Sequence, residues 1–388
     1  MKRIAIIGYR DGRYLLEQIK QRGNDIYEVI CLCDNDIKYI NTVFFAVPVY
    51  SINEMFGLYK RNKIESIIIA VRKGYSRYCI IEQLLNIGVN IDDIILMRPS
   101  SLTFRQPIVF DRNDIKYELQ WLHMAENDKP IIHHLEAHVA DGCNLNCKGC
   151  LHFSNLYRKD EFPDLDSLLG DIEVVSQHCE IFQFRVLGGE PLLNQNLENF
   201  LKNLRKLLPN TDIAAISNGI LIPQTSKTLL KVMHENGIGF NLTLYPPTLK
   251  MKDQIYQTLE RAGVPYGSHE AQTDEFQKFI NLNTEIVSTE AYLNCVSRGI
   301  LTLRAGRIYK CPIETYIGRY FERYGMSKNA SAKGRDIRDK SLDWKKTVKM
   351  LTDEEGEFCC HCSEHPVSYT WNNSSPEKED WLVEEADA

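Results

Sequence analysis

Three cysteines fall within the run Cys143-Asn144-Leu145-Asn146-Cys147-Lys148-Gly149-Cys150, directly after a predicted strand. The spacing, C-x3-C-x2-C, sets three thiols on one short loop and offers no fourth beside them. Structural zinc sites and ordinary ferredoxin clusters are closed by four protein ligands. A compact three-thiol loop therefore points to a cluster with one metal left open for another molecule, and it needs a rigid strand end to hold it.

The rest of the composition narrows the classes. The formal net charge is -6 and no basic block stands out, so nucleic acid is not expected as a partner. No apolar run reaches the length of a membrane span, and Met1 to Tyr9 enters a strand-like run rather than a signal peptide, so a cytoplasmic chain without a membrane partner is expected. Cysteines in that compartment serve as metal ligands or packed thiols more than as disulfides. Cys31, Cys33, Cys79 and Cys179 sit in apolar segments and read as packed thiols. Cys295, Cys311, Cys359, Cys360 and Cys362 form a second group.

Gly188-Gly189-Glu190-Pro191 closes a later apolar strand within V-L-G-G-E-P-L-L-N. Together with the cysteine loop, this motif resembles the radical S-adenosylmethionine (radical SAM) enzymes. The resemblance implies a 4Fe-4S cluster on Cys143, Cys147 and Cys150 whose open iron chelates the methionine end of S-adenosylmethionine. It also implies that Gly188, Gly189 and Glu190 meet the methionine amino group, and that Asn218, in Ser217-Asn218-Gly219, contacts the ribose or carboxylate. One position departs from the usual pattern: Gly149 stands where the family carries an aromatic residue. A subset reading C-N-L-x-C-K-G-C-x-x-F-S shares that glycine, and His152-Phe153-Ser154 fits it.

Periodicity predicts an α/β chain. Residues 1–105 alternate strands (Arg3–Gly8, Tyr27–Cys33, Ile64–Val71, Ile94–Met97) with helices (Gly12–Arg22, Ser76–Ile87), which implies a Rossmann-like parallel sheet. The turn Gly8 to Gly12 lacks the full dinucleotide fingerprint. With Asp34-Asn35-Asp36 at the end of the second strand, this unit resembles nucleotide-sugar-binding modules of bacterial surface-polysaccharide proteins. Residues 106–130 read as a linker with a helical stretch at 115–126. Residues 131–290 repeat strand and helix as in a partial (β/α)6 TIM-type barrel, with both motifs at strand C-terminal ends, where such barrels keep their sites. Residues 291–370 read as a small cysteine-rich α+β extension, and 371–388 as a mobile acidic tail.

Several barrel strands alternate instead of running continuously apolar. His134, Glu136 and His138 share a face, as do Gln183 and Arg185, and Asn241, Thr243 and Tyr245. Burying such groups without partners costs roughly 1–3 kcal/mol each, so they are expected in a polar lumen. Glu136, His138, Arg185 and Tyr245 are the substrate-site candidates. A small polar substrate follows, with a nucleotide-linked sugar preferred on the likeness of the N-terminal unit. A peptide maturase and a non-catalytic iron-sulfur sensor stand as alternatives. A flavodoxin- or ferredoxin-type reductant is implied by the family.

In the second cysteine group, Ile300–Leu303 and Arg307–Tyr309 read as a hairpin with Cys295 and Cys311 near its ends. Cys359 and Cys362 have the spacing that lets two thiolates meet one metal centre, which leaves Cys360 spare. The pattern resembles the twitch or SPASM extension of radical SAM enzymes and implies a second, auxiliary 4Fe-4S cluster on Cys295, Cys311, Cys359 and Cys362. A zinc site would use the same four ligands.

Overall fold

The computed structural model describes residues 1–21, 27–71, 73–97, 121–123, 129–268, 275–283, 289–326 and 333–383. Most of the expected linker, including nearly all of the helical stretch at 115–126, lies outside the described residues. The chain divides into two compact units, Met1–Asp128 and Lys129–Ala388.

In the first unit, parallel strands lie in the order Val47–Tyr50, Tyr27–Cys33, Lys2–Ile7, Ser66–Ile69, Ile94–Met97, with Val43–Phe44 and Trp121–His123 antiparallel at the edges. Ile4, Ile6, Leu32, Ile68 and Met97 are buried, as expected of strands with both faces covered. The chain reverses its winding direction at the first strand, which is the doubly wound arrangement.

The turn after that first strand differs from expectation. Gly8, at a φ of +101°, is followed at once by the helix Tyr9–Gln21, so Gly12 is helical and not part of a loop. The Asp34 carboxylate accepts the Tyr9 amide at 2.7 Å and the Asp36 amide at 2.9 Å. It thus caps the helix and its own turn. Cys31 and Cys33 are buried as expected, but Cys79 is exposed because the helix Gly74–Asn86 turns it outward.

In the second unit six strands run parallel, in the order Tyr266–Ser268, Gly239–Leu242, Asp212–Ser217, Gln183–Gly188, Leu135–Ala140, Leu301–Arg304. Helices Leu165–His178, Leu197–Leu207, Lys227–Glu235 and Lys252–Ala262 connect them. Two of these start on side-chain caps: Asp164 accepts the Asp166 and Ser167 amides, and Ser226 accepts that of Leu229. Strand period and helix period meet in one core, where Leu135, Ala137 and Val139 pack with Ile172, Val175, Phe200 and Leu204. The intervening residues Glu136 and His138 necessarily face the other side.

The sixth parallel strand comes from an unexpected part of the sequence. Leu301–Arg304 and Arg307–Tyr309 form the foreseen hairpin, but the first of these lies beside Leu135–Ala140 and extends the main sheet. Glu275–Ile280 leaves that sheet and pairs antiparallel with Cys362–Thr370. The acidic tail is anchored as well: Trp381 is buried against Phe153 and Tyr320, because a large aromatic ring outweighs the flanking acids. Among the described residues, no helix is long and apolar enough to cross a membrane.

Candidate functional site

The cysteine loop leaves the strand Leu135–Ala140 and is gripped at once by the glycine motif of the next strand. The Gly189 amide donates to the Ala140 carbonyl at 2.8 Å, and the Glu190 amide to the Gly142 carbonyl at 3.1 Å. A Cβ on Gly188 would lie 1.9 Å from the Ala140 oxygen, and one on Gly189 2.0 Å from the Gly142 oxygen. The two glycines are there because two backbones touch at this point. Beyond them, the Glu190 carboxylate accepts from the Ser217 hydroxyl at 2.8 Å, the Asn218 amide at 3.0 Å and the Leu192 amide at 3.2 Å. It ties the third strand end to the second. Burial outweighs these bonds and raises Glu190 to about 7.

Cys143, Cys147 and Cys150 line one cavity of about 380 Å³ together with Gly188, Gly189, Ser217 and Asn218. Glu190 does not line it; its carboxylate bonds the strand ends behind the wall. The Cys143 sulfur accepts the Leu145 amide at 3.4 Å. Burial, and then the charge of Cys150, pushes the Cys147 thiol up to about 12. Thiols so raised are protonated until a metal displaces the proton. Among the described residues no three ligand-type side chains close round a single ion. Three thiols of one short loop that line a single cavity fit a polynuclear cluster with one metal left open.

The four lumen candidates divide. Glu136 and Tyr245 line the cavity, and neither Arg185 nor His138 does. Arg185 is buried on Asp212, reaching its carbonyl at 3.0 Å and its carboxylate at 3.3 Å. His138 stands behind the wall: its Nδ1 is 3.1 Å from Asp141, its Nε2 3.0 Å from the His152 ring, and it stacks on Tyr316 at 3.7 Å. Burial lowers His138 to about 4 and keeps it neutral, while Arg304 clamps Asp141 at 2.6 and 2.9 Å. Glu136 is raised by burial to about 8 despite the Thr302 hydroxyl at 3.2 Å, so it faces the cavity as a neutral acid near pH 7. The wall is less polar than expected, since Leu145, Leu151, Leu187, Ile216, Phe276, Val296 and Ile300 share it.

Sequence reasoning missed the strap that holds the loop from outside. The chain from Tyr369 to Trp381 runs along it: Tyr369 donates its hydroxyl to the Lys148 carbonyl at 2.7 Å, and Lys148 its amide to Asn372 at 2.9 Å. Asp380 pairs with the Lys148 ammonium at 3.2 Å, and the Trp381 indole donates to the Cys150 carbonyl at 2.8 Å. The strap also accounts for Gly149. That residue has a φ of +59°, and a Cβ there would lie 2.3 Å from the Tyr369 hydroxyl and 2.7 Å from the Asp380 carbonyl. Three aromatic residues, Tyr369, Trp371 and Trp381, in and just before the acidic terminus were the available signal.

The comparisons with known proteins fall on this region. The family model of the radical SAM superfamily matches residues 138–280, which hold the cysteine loop, the glycine motif and Asn218. Residues 138–280 form a radical SAM domain. GTP 3',8-cyclase of Petrotoga mobilis is 24% identical over 251 residues, 60% of this chain and 77% of the relative. GTP 3',8-cyclase of Clostridium acetobutylicum is 36% identical over 100 residues, which span 26% of this chain and 31% of the relative. The crystal structure of BtrN in complex with AdoMet and 2-DOIA is 18% identical, with a TM-score of 0.37, covering 66% of this chain and 99% of that one. The radical SAM family uses a 4Fe-4S cluster and S-adenosylmethionine. The preference for a sugar or nucleotide sugar, and the peptide and sensor alternatives, are overturned by relatives named for chemistry on GTP.

Outside the radical SAM domain match, the second cysteine group assembles from three segments. Burial, then the Glu314 carboxylate, raises the Cys311 thiol, and Cys362 and Cys295 add to it. Cys362 in turn feels Cys295 and Cys359. Charges on these thiols thus act on one another, with Cys360 among them. Cys311 caps the helix Pro312–Arg323, its sulfur accepting the Glu314 amide at 3.4 Å, and the Cys359 sulfur accepts the Gly356 amide at 3.2 Å. The Cys360 thiol donates instead to the Glu357 carbonyl at 3.2 Å.

Proposed function

We propose that this radical SAM enzyme acts on a small nucleotide-type molecule, with Cys143, Cys147 and Cys150 holding the 4Fe-4S cluster and the cavity beside them taking S-adenosylmethionine and substrate in turn along its length. The observation that carries the reading is that the three thiols line one cavity together with Gly188, Gly189 and Asn218. The bound cluster and cofactor would supply reductive cleavage to methionine and a 5'-deoxyadenosyl radical able to take hydrogen from an unactivated C-H bond.

The residues of the chain do the rest. Backbone at Gly188 and Gly189 and the Asn218 side chain offer polar groups to the cofactor, and Glu190 keeps that wall in register through Ser217 and Asn218. Neutral Glu136 can donate a hydrogen bond into the cavity, and the Tyr245 ring closes one side. No lysine or arginine lines the cavity among the described residues. The lining is therefore suited to a base and ribose rather than to a phosphate chain, whose charge would remain toward water. Cys295, Cys311, Cys359 and Cys362 are proposed to hold an auxiliary 4Fe-4S cluster, and a flavodoxin- or ferredoxin-type protein to supply electrons.

The test is anaerobic turnover of the reconstituted full chain with S-adenosylmethionine, reductant and GTP, then other nucleosides and nucleotides deuterated on the ribose. Deuterium appearing in 5'-deoxyadenosine identifies the substrate. Unlabelled 5'-deoxyadenosine with every nucleotide would refute the substrate class, and an intact cofactor in iron-replete protein would refute the site.

A further inference from the structure

The sulfur of Cys147 has a second neighbour besides the cavity. The indole Nε1 of Trp371 donates to it at 3.2 Å. An indole N-H is a donor only and has no acceptor role to fall back on. Trp371 is fixed from both sides: its ring stacks on Tyr245 at 5.7 Å with planes 15° apart, and the residues after it are bound to the loop, Asn373 through the Asn146 amide at 2.6 Å and Ser374 through the Asn146 carbonyl at 3.1 Å. A short bridge pairs Cys147 with Asn373. The donor is therefore held against the sulfur by contacts other than its own bond. Trp381, the strap's other tryptophan, instead gives its indole N-H to a backbone carbonyl, so donation to sulfur is particular to Trp371.

We propose that Trp371 sets the reduction potential of the cluster on the Cys143-Cys147-Cys150 loop, by directing an N-H dipole at one ligand sulfur. The proposal rests on Cys147 being a cluster ligand, as argued above. Adding an electron to an iron-sulfur cluster places negative charge on its sulfurs, and an N-H donor stabilises that charge more in the reduced than in the oxidised state. The donor therefore raises the potential and makes the cluster easier to reduce. The C-terminal strap would in this way act on the electron-accepting step, in addition to holding the loop.

The experiment is a redox titration of the reconstituted full chain followed by electron paramagnetic resonance, reading the signal that S-adenosylmethionine perturbs. Trp371→Phe keeps a ring to stack on Tyr245 and loses the donor. It should retain its iron while that signal moves to lower potential, by about tenfold in the reduced-to-oxidised ratio, or about 59 mV for one electron. Tyr369→Phe removes a strap hydrogen bond that touches no sulfur, and should leave the potential in place. Independently of any variant, protein labelled with indole-15N tryptophan should show a nitrogen hyperfine coupling to the reduced cluster. An unchanged potential in Trp371→Phe, an equal shift in Tyr369→Phe, or no nitrogen coupling in the wild type would overturn the proposal. Should Cys147→Ala keep the perturbed signal, the ligand assignment itself would fall and the proposal with it.

Discussion

The two cysteine groups are built by opposite means. Cys143, Cys147 and Cys150 come from one loop, and their positions follow from a strand end, two glycines of the next strand and the strap. Cys295, Cys311, Cys359 and Cys362 come from three places: the segment before a hairpin, a helix start and a single helical turn. A local set is held by backbone contacts before any metal arrives. A dispersed set depends on distant segments docking, so a metal there would contribute to folding itself.

The largest difference should appear when each group loses one thiol. Cys147→Ala should lose about half of the eight irons expected for two 4Fe-4S clusters and all cleavage of S-adenosylmethionine, with little change in thermal unfolding. Cys311→Ala should also lose about half of the iron, yet keep slow cleavage and unfold at clearly lower temperature. Metal analysis, product chromatography and calorimetry read all three. Equal thermal losses in both variants would remove the distinction between local and dispersed groups.

Between the two groups stands the contact of Glu136, on the strand before the loop, with Thr302, in the hairpin between Cys295 and Cys311. Glu136 is raised from the ordinary 4.5 to about 8, so the folded protein keeps a proton that the unfolded chain releases. Its stabilising contribution is full below about pH 4.5 and is lost as pH rises toward 8, at up to about 1.4 kcal/mol per unit. Glu136→Gln should flatten the fall in stability across that window, measured by urea unfolding at a series of pH values. A parallel profile in the variant would show that Glu136 is ionised in the folded state.

A smaller effect isolates the strap. Gly149→Ala must meet the Tyr369 hydroxyl and the Asp380 carbonyl, and should cost about 1–3 kcal/mol of stability. Gly237→Ala has a similar φ, +58°, with open space around it, and should cost about 1 kcal/mol for the backbone alone. Equal losses would mean that the strap yields freely. The smallest change is Lys148→Ala: its side chain is 34% exposed beside buried Asp380, and losing the pair should cost about 1 kcal/mol or less, with iron content unaltered.

The cysteine and glycine motifs were legible because each is a short run at a strand end, where period and spacing are local properties. The alternation of Glu136 and His138 against Leu135, Ala137 and Val139 was equally plain, since a strand must send neighbours to opposite faces. What alternation could not tell was which inward groups meet the cavity. His138 and Arg185 are taken up by Asp141 and Asp212, and those partners are chosen by neighbouring elements. Gly149 read only as a departure from a pattern, because its reason, a tyrosine hydroxyl at residue 369, lies far along the chain. In the same way the acidic C-terminus was dominated by its charges in sequence and by Trp381 in space. By itself, then, the sequence determined the strands, the helices, the loop chemistry and the superfamily, all of which rest on residues close together in the chain. Tertiary structure alone decided the sixth parallel strand, the strap and the tryptophan on the Cys147 sulfur, since each is a contact between segments whose proximity no local pattern encodes.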